Sequence, residues 1–283
     1  MRASRASGLT AIALAATLVP GQASADPPRT VDQHFTIDPV SDIVLTGSGA
    51  GITALLSLIL GTGEIRPSPL STGDENKLLS FDRWAVNQAV DPNADTYSNV
   101  GLYAAIGFAV LDPVFSGLRD GWDAALVDAV MYAESLSLTE AITDMTKIAV
   151  RRPRPIDYIH CEHSTEGTCS STDVELSFFS GHAAALASIT GTATYLAFTR
   201  SPHSFRPWIT LAAGTLLTAF VDYERVRAGE HFPTDVIAGT FAGGAIGVLV
   251  PHLHRHAQDA PPLWVGAAPT PRGGGMITAG GAF

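Results

Sequence analysis

The sequence predicts an all-α protein, a compact multi-helix bundle with its active site at helix ends and in connecting loops. Three observations point there. Apolar residues make up 46% of the 283 residues and charged residues only 16%, enough to fill one sizeable core. The apolar residues gather into long stretches separated by clusters of Gly, Pro, Ser and Asp. The chemically reactive residues concentrate in three short segments at the edges of those stretches.

Taken in order, residues 26–40 are polar and Pro-containing and read as an extended lead-in. Residues 43–60 are largely apolar, with Gly47, Gly49 and Gly51 inside, and residues 61–80 read as a loop. The apolar segment 100–111 is expected to stop at Asp112-Pro113. Across 120–150, Val127, Met131, Leu138, Ile142, Met145 and Ala149 recur at helical spacing, so a long amphipathic helix is expected, ending before Pro153 and Pro155. Residues 156–177 read as a polar loop holding Cys161 and Cys169. Three further helices follow over 183–198, 207–221 and 236–250, the last Gly-rich. Beyond His252 the chain turns polar, then Pro- and Gly-rich, with no clear structural signal.

Charge excludes one class of function. A formal net charge of −10 argues against a nucleic-acid binder, whose affinity rests on neutralising backbone phosphates. Any phosphate site must be a local positive island. The N-terminus reads as an export signal: Arg2 and Arg5, an apolar run over 8–21, then Ala23-Ser24-Ala25 as a cleavage site. Export reaches an oxidising compartment, where a Cys161–Cys169 disulfide is expected. A metal cluster from His160, Cys161, His163 and Cys169 fits no familiar zinc spacing. The acids within 120–150, Asp128, Glu134 and Asp144 among them, oppose a lipid-spanning helix. They favour a bundle in the periplasm, with a membrane-embedded bundle as the alternative.

The first reactive segment runs over residues 147–155. It holds four of the chain's 17 lysines and arginines: Lys147, Arg151, Arg152 and Arg154. A helix end accounts for one or two cations near its dipole; four suit a multiply charged anion. The second is Ser180-Gly181-His182, opening a helix with Ser180 as N-cap and Gly181 permitting close approach to first-turn amides. The third holds Arg225, Arg227, Glu230, His231 and Asp235. On a helix, residues 231 and 235 share a face, so Asp235 is expected to accept a hydrogen bond from one His231 nitrogen and free the other to attack.

Lys147 with Arg154-Pro155, then Ser180-Gly181-His182, then Arg225 with His231 and Asp235 resemble the three-part signature of the PAP2 (type 2 phosphatidic acid phosphatase) superfamily. That superfamily includes bacterial acid phosphatases, lipid phosphate phosphatases and vanadium haloperoxidases. The chain is expected to divide into a cleaved signal peptide over 1–25, an N-terminal lead-in and helices over 26–94, a phosphatase core over 95–256 to which the resemblance applies, and a Gly/Pro-rich tail over 257–283. The resemblance implies His231 as nucleophile, Asp235 as its orienting partner and His182 as general acid and base. Lys147, Arg154, Ser180, Gly181 and Arg225 would hold the phosphoryl oxygens, with no metal and no cofactor required. The substrate would be a phosphate monoester or lipid phosphate. The alternative is a vanadate-dependent haloperoxidase using the same anion pocket.

Two positions depart from the family pattern. Phe179 stands where Pro is usual before Ser-Gly-His, and Glu224 where Ser is usual before Arg225. Arg151, Arg152 and Arg227 are extra cations, expected either to bind a second phosphate or to line the rim. The run His252, His254, His256 suggests a metal-binding tail, but reads better as cations at a helix C-terminus.

Overall fold

Every apolar stretch within the described residues forms a helix in the computed structural model, which describes residues 34–162, 168–169, 176–255, 263–269 and 275–281. The expected signal peptide lies outside the described residues. The helices are α1 (Pro39–Gly61), α2 (Arg83–Val86), α3 (Ala94–Asp120), α4 (Trp122–Val150), α5 (Pro155–Glu162), α6 (Gly181–Arg200), α7 (Arg206–Arg227) and α8 (Pro233–His254). Two short antiparallel ladders complete the described backbone. One pairs β1 (Leu70–Ser71) with β2 (Thr168–Cys169), and the other pairs β3 (Leu263–Pro269) with β4 (Gly275–Gly281). The second ladder falls in the C-terminal tail, for which the sequence carried no clear signal.

Local chemistry sets the helix ends. The Asp38 side chain accepts from the Val40 and Ser41 amides and starts α1. Arg151 turns left-handed at φ 53° to end α4, just ahead of Pro153 and Pro155. Ser180 caps α6 through the Ala183 amide. The Asp235 carboxylate accepts from the Phe232 amide at 2.9 Å and closes the first turn of α8.

The six long helices lie side by side in a bundle. Ser57 donates to Asp144 at 3.0 Å near the ends of α1 and α4, while Asp42 faces His254 across the start of α1 and the end of α8. So α1 and α4 run together, and α8 runs against them. Val127, Met131, Leu186, Leu196 and Val221 fill the central core. A second cluster of Ala183, Val226, Phe232 and Val236 lies beneath the reactive segments.

The closest packing joins α6 to α8. Gly239, Gly243 and Gly247 recur at four-residue intervals on α8. A methyl group on them would fall 2.6 Å from Ser180 O, 1.9 Å from Ala184 O and 2.2 Å from Ser188 O. Only glycine permits this backbone-to-backbone approach. Thr192 crosses the same seam, donating to Gly247 O at 3.1 Å.

Three expectations are corrected. α3 does not stop at Asp112-Pro113; it continues through Pro113 to Asp120. Asp112 anchors that stretch by accepting from Tyr132 at 2.9 Å and Arg206 at 3.0 Å, tertiary contacts that offset the lost backbone bond. The 156–177 loop begins with a helix, α5, instead of being loop throughout. Asp128, Glu134 and Asp144 of α4 face inward, so they do not oppose a lipid environment. Asp128 pairs with Arg200 at 2.6 Å, Asp144 with Ser57, and Glu134 lies 3.4 Å from His254.

Large apolar side chains instead cover the outside. Val40, Ile43 and Leu58 of α1, Val110 and Leu118 of α3, Leu216 of α7 and Phe241 of α8 are all exposed. Helices α1, α3 and α8 are long and apolar enough to cross a membrane. This belt supports membrane association, which the sequence leaves as the alternative to a soluble bundle.

Candidate active site

The three reactive segments meet at one end of the bundle. α4 and α7 deliver cations from their last turns, while α6 and α8 begin there. Arg154 and Arg225 are both buried, and both bind the Glu230 carboxylate, Arg225 at 3.3 Å and Arg154 more closely. Lys147 also reaches this place: a methyl group on Gly181 would lie 3.8 Å from its Nζ. The Ser180 amide donates to Asp235 O at 3.2 Å, tying the start of α6 to α8.

His231 is buried in the loop between α7 and α8. Its Nδ1 lies 2.7 Å from the carbonyl oxygen of Ser177. A carbonyl only accepts, so Nδ1 carries the hydrogen and Nε2 keeps the lone pair. Burial, and then the charges of Arg225, Arg154 and Lys147, hold the His231 imidazolium well below the ordinary histidine range.

The expected hydrogen bond from His231 to Asp235 is replaced by a contact of 4.0 Å. The Asp235 carboxylate is engaged elsewhere. It accepts from the Phe232 amide, from the Ser177 hydroxyl in a short bond and from Arg152 in another. Asp235 therefore fixes the Ser177 segment, and the Ser177 carbonyl fixes the imidazole. The alternative was spatially close, but closing the α8 turn took the carboxylate's lone pairs.

His182 stands at the start of α6, with Nε2 2.7 Å from Asn99 Oδ1. The Asn99 amide is oriented because its Nδ2 donates to Asp95 at 3.0 Å. Nε2 of His182 is therefore the donor. Asp95 also accepts from Arg225, which contacts Ser98 at 3.3 Å. One turn of α3 thus positions both a histidine and an arginine. Sequence reasoning missed Asp95, Ser98 and Asn99, since nothing local to α3 says which helices it faces. It also missed that Glu230, adjacent to His231, is the carboxylate between the two arginines.

The extra cations have structural partners. Arg152 binds Asp82 at 2.8 Å and Asp235, and its guanidinium lies 3.9 Å from the centre of the Phe232 ring. Arg227 binds Asp91 and Glu224, the latter at 3.2 Å. Glu224, at the departure from the family pattern, therefore pairs with Arg227 instead of disturbing Arg225. Arg151 donates to Arg66 O at 2.8 Å. Phe179, the other departure, is buried edge-on against Phe178. Cys161 is disulfide-bonded, and the chain's only other cysteine is Cys169.

A helical bundle with two histidines beside three convergent cations suits a phosphoric ester hydrolase, a phosphatase. Residues 128–259, the segment that carries all three motifs, match the model of the PAP2 superfamily. No curated protein matches the chain. Among solved structures, the chain is similar to the first transmembrane PAP2 type phosphatidylglycerolphosphate phosphatase from Bacillus subtilis. Identity is 20%, coverage is 75% of this chain and 93% of that one, and the TM-score is 0.44.

Proposed function

We propose that this protein hydrolyses lipid phosphate monoesters through a phosphohistidine formed on His231. The observation that carries the reading is the grip of Arg154 and Arg225 on one carboxylate beside His231. A phosphoryl group presents the same oxygen geometry to guanidinium pairs, with more charge. In this reading the substrate phosphate displaces Glu230, and Lys147, the Ser180 hydroxyl and the Gly181 amide take the remaining oxygens.

His231 Nε2 then attacks phosphorus. The N–P bond forms as the ester P–O bond breaks, and His182 gives the leaving oxygen its proton. His182 next takes a proton from water, which attacks the phosphohistidine and releases inorganic phosphate and free His231. Nε2 of His182 is held by Asn99, which leaves Nδ1 to exchange the proton. Developing negative charge is met by Lys147, Arg154 and Arg225, so the step calls on no metal ion. The apolar exterior supports a lipid substrate, whose acyl chains would stay in the bilayer beside the site.

The test is hydrolysis by the full chain in detergent, on a panel of lipid phosphates and soluble monoesters. His231→Ala is expected to lower kcat by at least about 10³-fold with folding retained. Hydrolysis that survives this change overturns the mechanism. A preference for soluble esters over lipid phosphates overturns the substrate class.

A further inference from the structure

At the opposite end of the bundle, three helices bring Asp42, Glu134 and His254 together. Their candidate ligand atoms lie within 4.8 Å of one another. His254 Nε2 is 3.2 Å from Asp42 Oδ1 and 3.4 Å from Glu134 Oε2. A tetrahedral ion with bonds of roughly 2.0–2.1 Å spaces its ligands at about 3.3 Å, which these two distances match. From the pure imidazole-and-carboxylate donor set and this spacing, we propose that Asp42, Glu134 and His254 form a structural binding site for a divalent transition cation, most simply Zn²⁺.

Two independent observations point to a ligand. Glu134 is 2% exposed, and its Oε2, aimed at His254, has no hydrogen-bond partner. Such a buried, unsatisfied carboxylate oxygen is costly without an ion. His254 Nδ1 lies 2.9 Å from the Val250 carbonyl, which orients the ring so that Nε2 faces the two acids. Metal-bound histidines are oriented in this way by backbone carbonyls.

Asp42 and Glu134 approach the same imidazole nitrogen from two other helices. His254 belongs to the His252–His256 run. His252 is turned elsewhere, with Nδ1 3.0 Å from the Tyr195 hydroxyl, and His256 lies outside the described residues.

The site would tie α1, α4 and α8 together. It lies far from the chemistry, since His254 is about 29 Å along α8 from Asp235 at the usual helical rise. Its occupancy is therefore independent of the proposed phosphatase mechanism.

The test uses the full chain in detergent, stripped with a chelator and then titrated with Zn²⁺ alone. Elemental analysis should find one retained Zn²⁺ per chain. Zinc absorption spectroscopy should find nitrogen and oxygen ligands without sulfur, and thermal unfolding should shift upward on zinc addition. Glu134→Gln preserves volume and should weaken retention at least tenfold and abolish the thermal shift. His254→Ala should do the same, while His252→Ala should bind like the parent, and the phosphatase rate of Glu134→Gln should be unchanged. No stoichiometric zinc in the parent, equal zinc in Glu134→Gln, or sulfur among the ligands would each overturn the site.

Discussion

At the scale of single residues, the site is organised by indirect holds. His231 is oriented by a backbone carbonyl that Asp235 fixes through the Ser177 hydroxyl. His182 is oriented by Asn99, which Asp95 fixes in turn. A pH prediction follows from the surroundings of His231. In the proposed mechanism His231 must be neutral to attack, and burial with nearby cations lowers its pKa well below 6.5. A lowered pKa keeps the neutral form populated as pH falls through 6.5 and protonates it only in more acidic solution. The acid limb of kcat/KM should therefore lie well below pH 6.5, once ionisation of the substrate phosphate is allowed for. A pH–rate profile checks this, and a limb at or above 6.5 would place a different group in control. The identities of His231, His182, Lys147, Arg154 and Arg225 were legible because motif spacing is local. Their partners were not, because Asn99 and Asp95 lie some eighty residues or more from what they touch.

At the scale of elements, the seam between α6 and α8 sets the geometry of the candidate site. These helices begin with Ser180-Gly181-His182 and with Asp235, so a shift between them separates the two halves of the site. The glycine stripe sets their distance, since a methyl group on Gly243 would meet Ala184 O at 1.9 Å. Gly243→Ala should destabilise the bundle by about 1–3 kcal/mol or more. The same change should lower kcat, because the seam must open to admit the methyl group. Thermal unfolding in detergent and single-turnover kinetics on the same sample read both effects. A helix-stabilised variant would mean that α8 slides freely. The sequence marks this stretch as Gly-rich, but glycine alone does not say which neighbour approaches. Pro113 gives the converse case. It reads locally as a stop, yet α3 runs through it because Asp112 is tied to Tyr132 and Arg206.

At the scale of the whole molecule, the inside is polar at particular places and the outside is apolar. Asp128 with Arg200 and Asp112 with Arg206 are interior pairs, while α1, α3, α7 and α8 turn large apolar side chains outward. Such a surface is stable against lipid and poorly soluble in water. The full chain should sediment with membranes, resist extraction by alkaline carbonate and enter solution with detergent. Recovery in the carbonate-soluble fraction would show instead that the belt is covered by protein.

The sequence by itself determined the helical class and the three motifs that the fold brings together. These depend on local periodicity, caps and motif spacing, which the chain carries in short segments. Tertiary structure alone decided which way each helix turns its charges. Asp128, Glu134 and Asp144 argue against a membrane when read along α4, and they are compatible with one once Arg200, His254 and Ser57 meet them from other helices. The cost of a buried charge depends on its partners, and those partners come from distant parts of the chain.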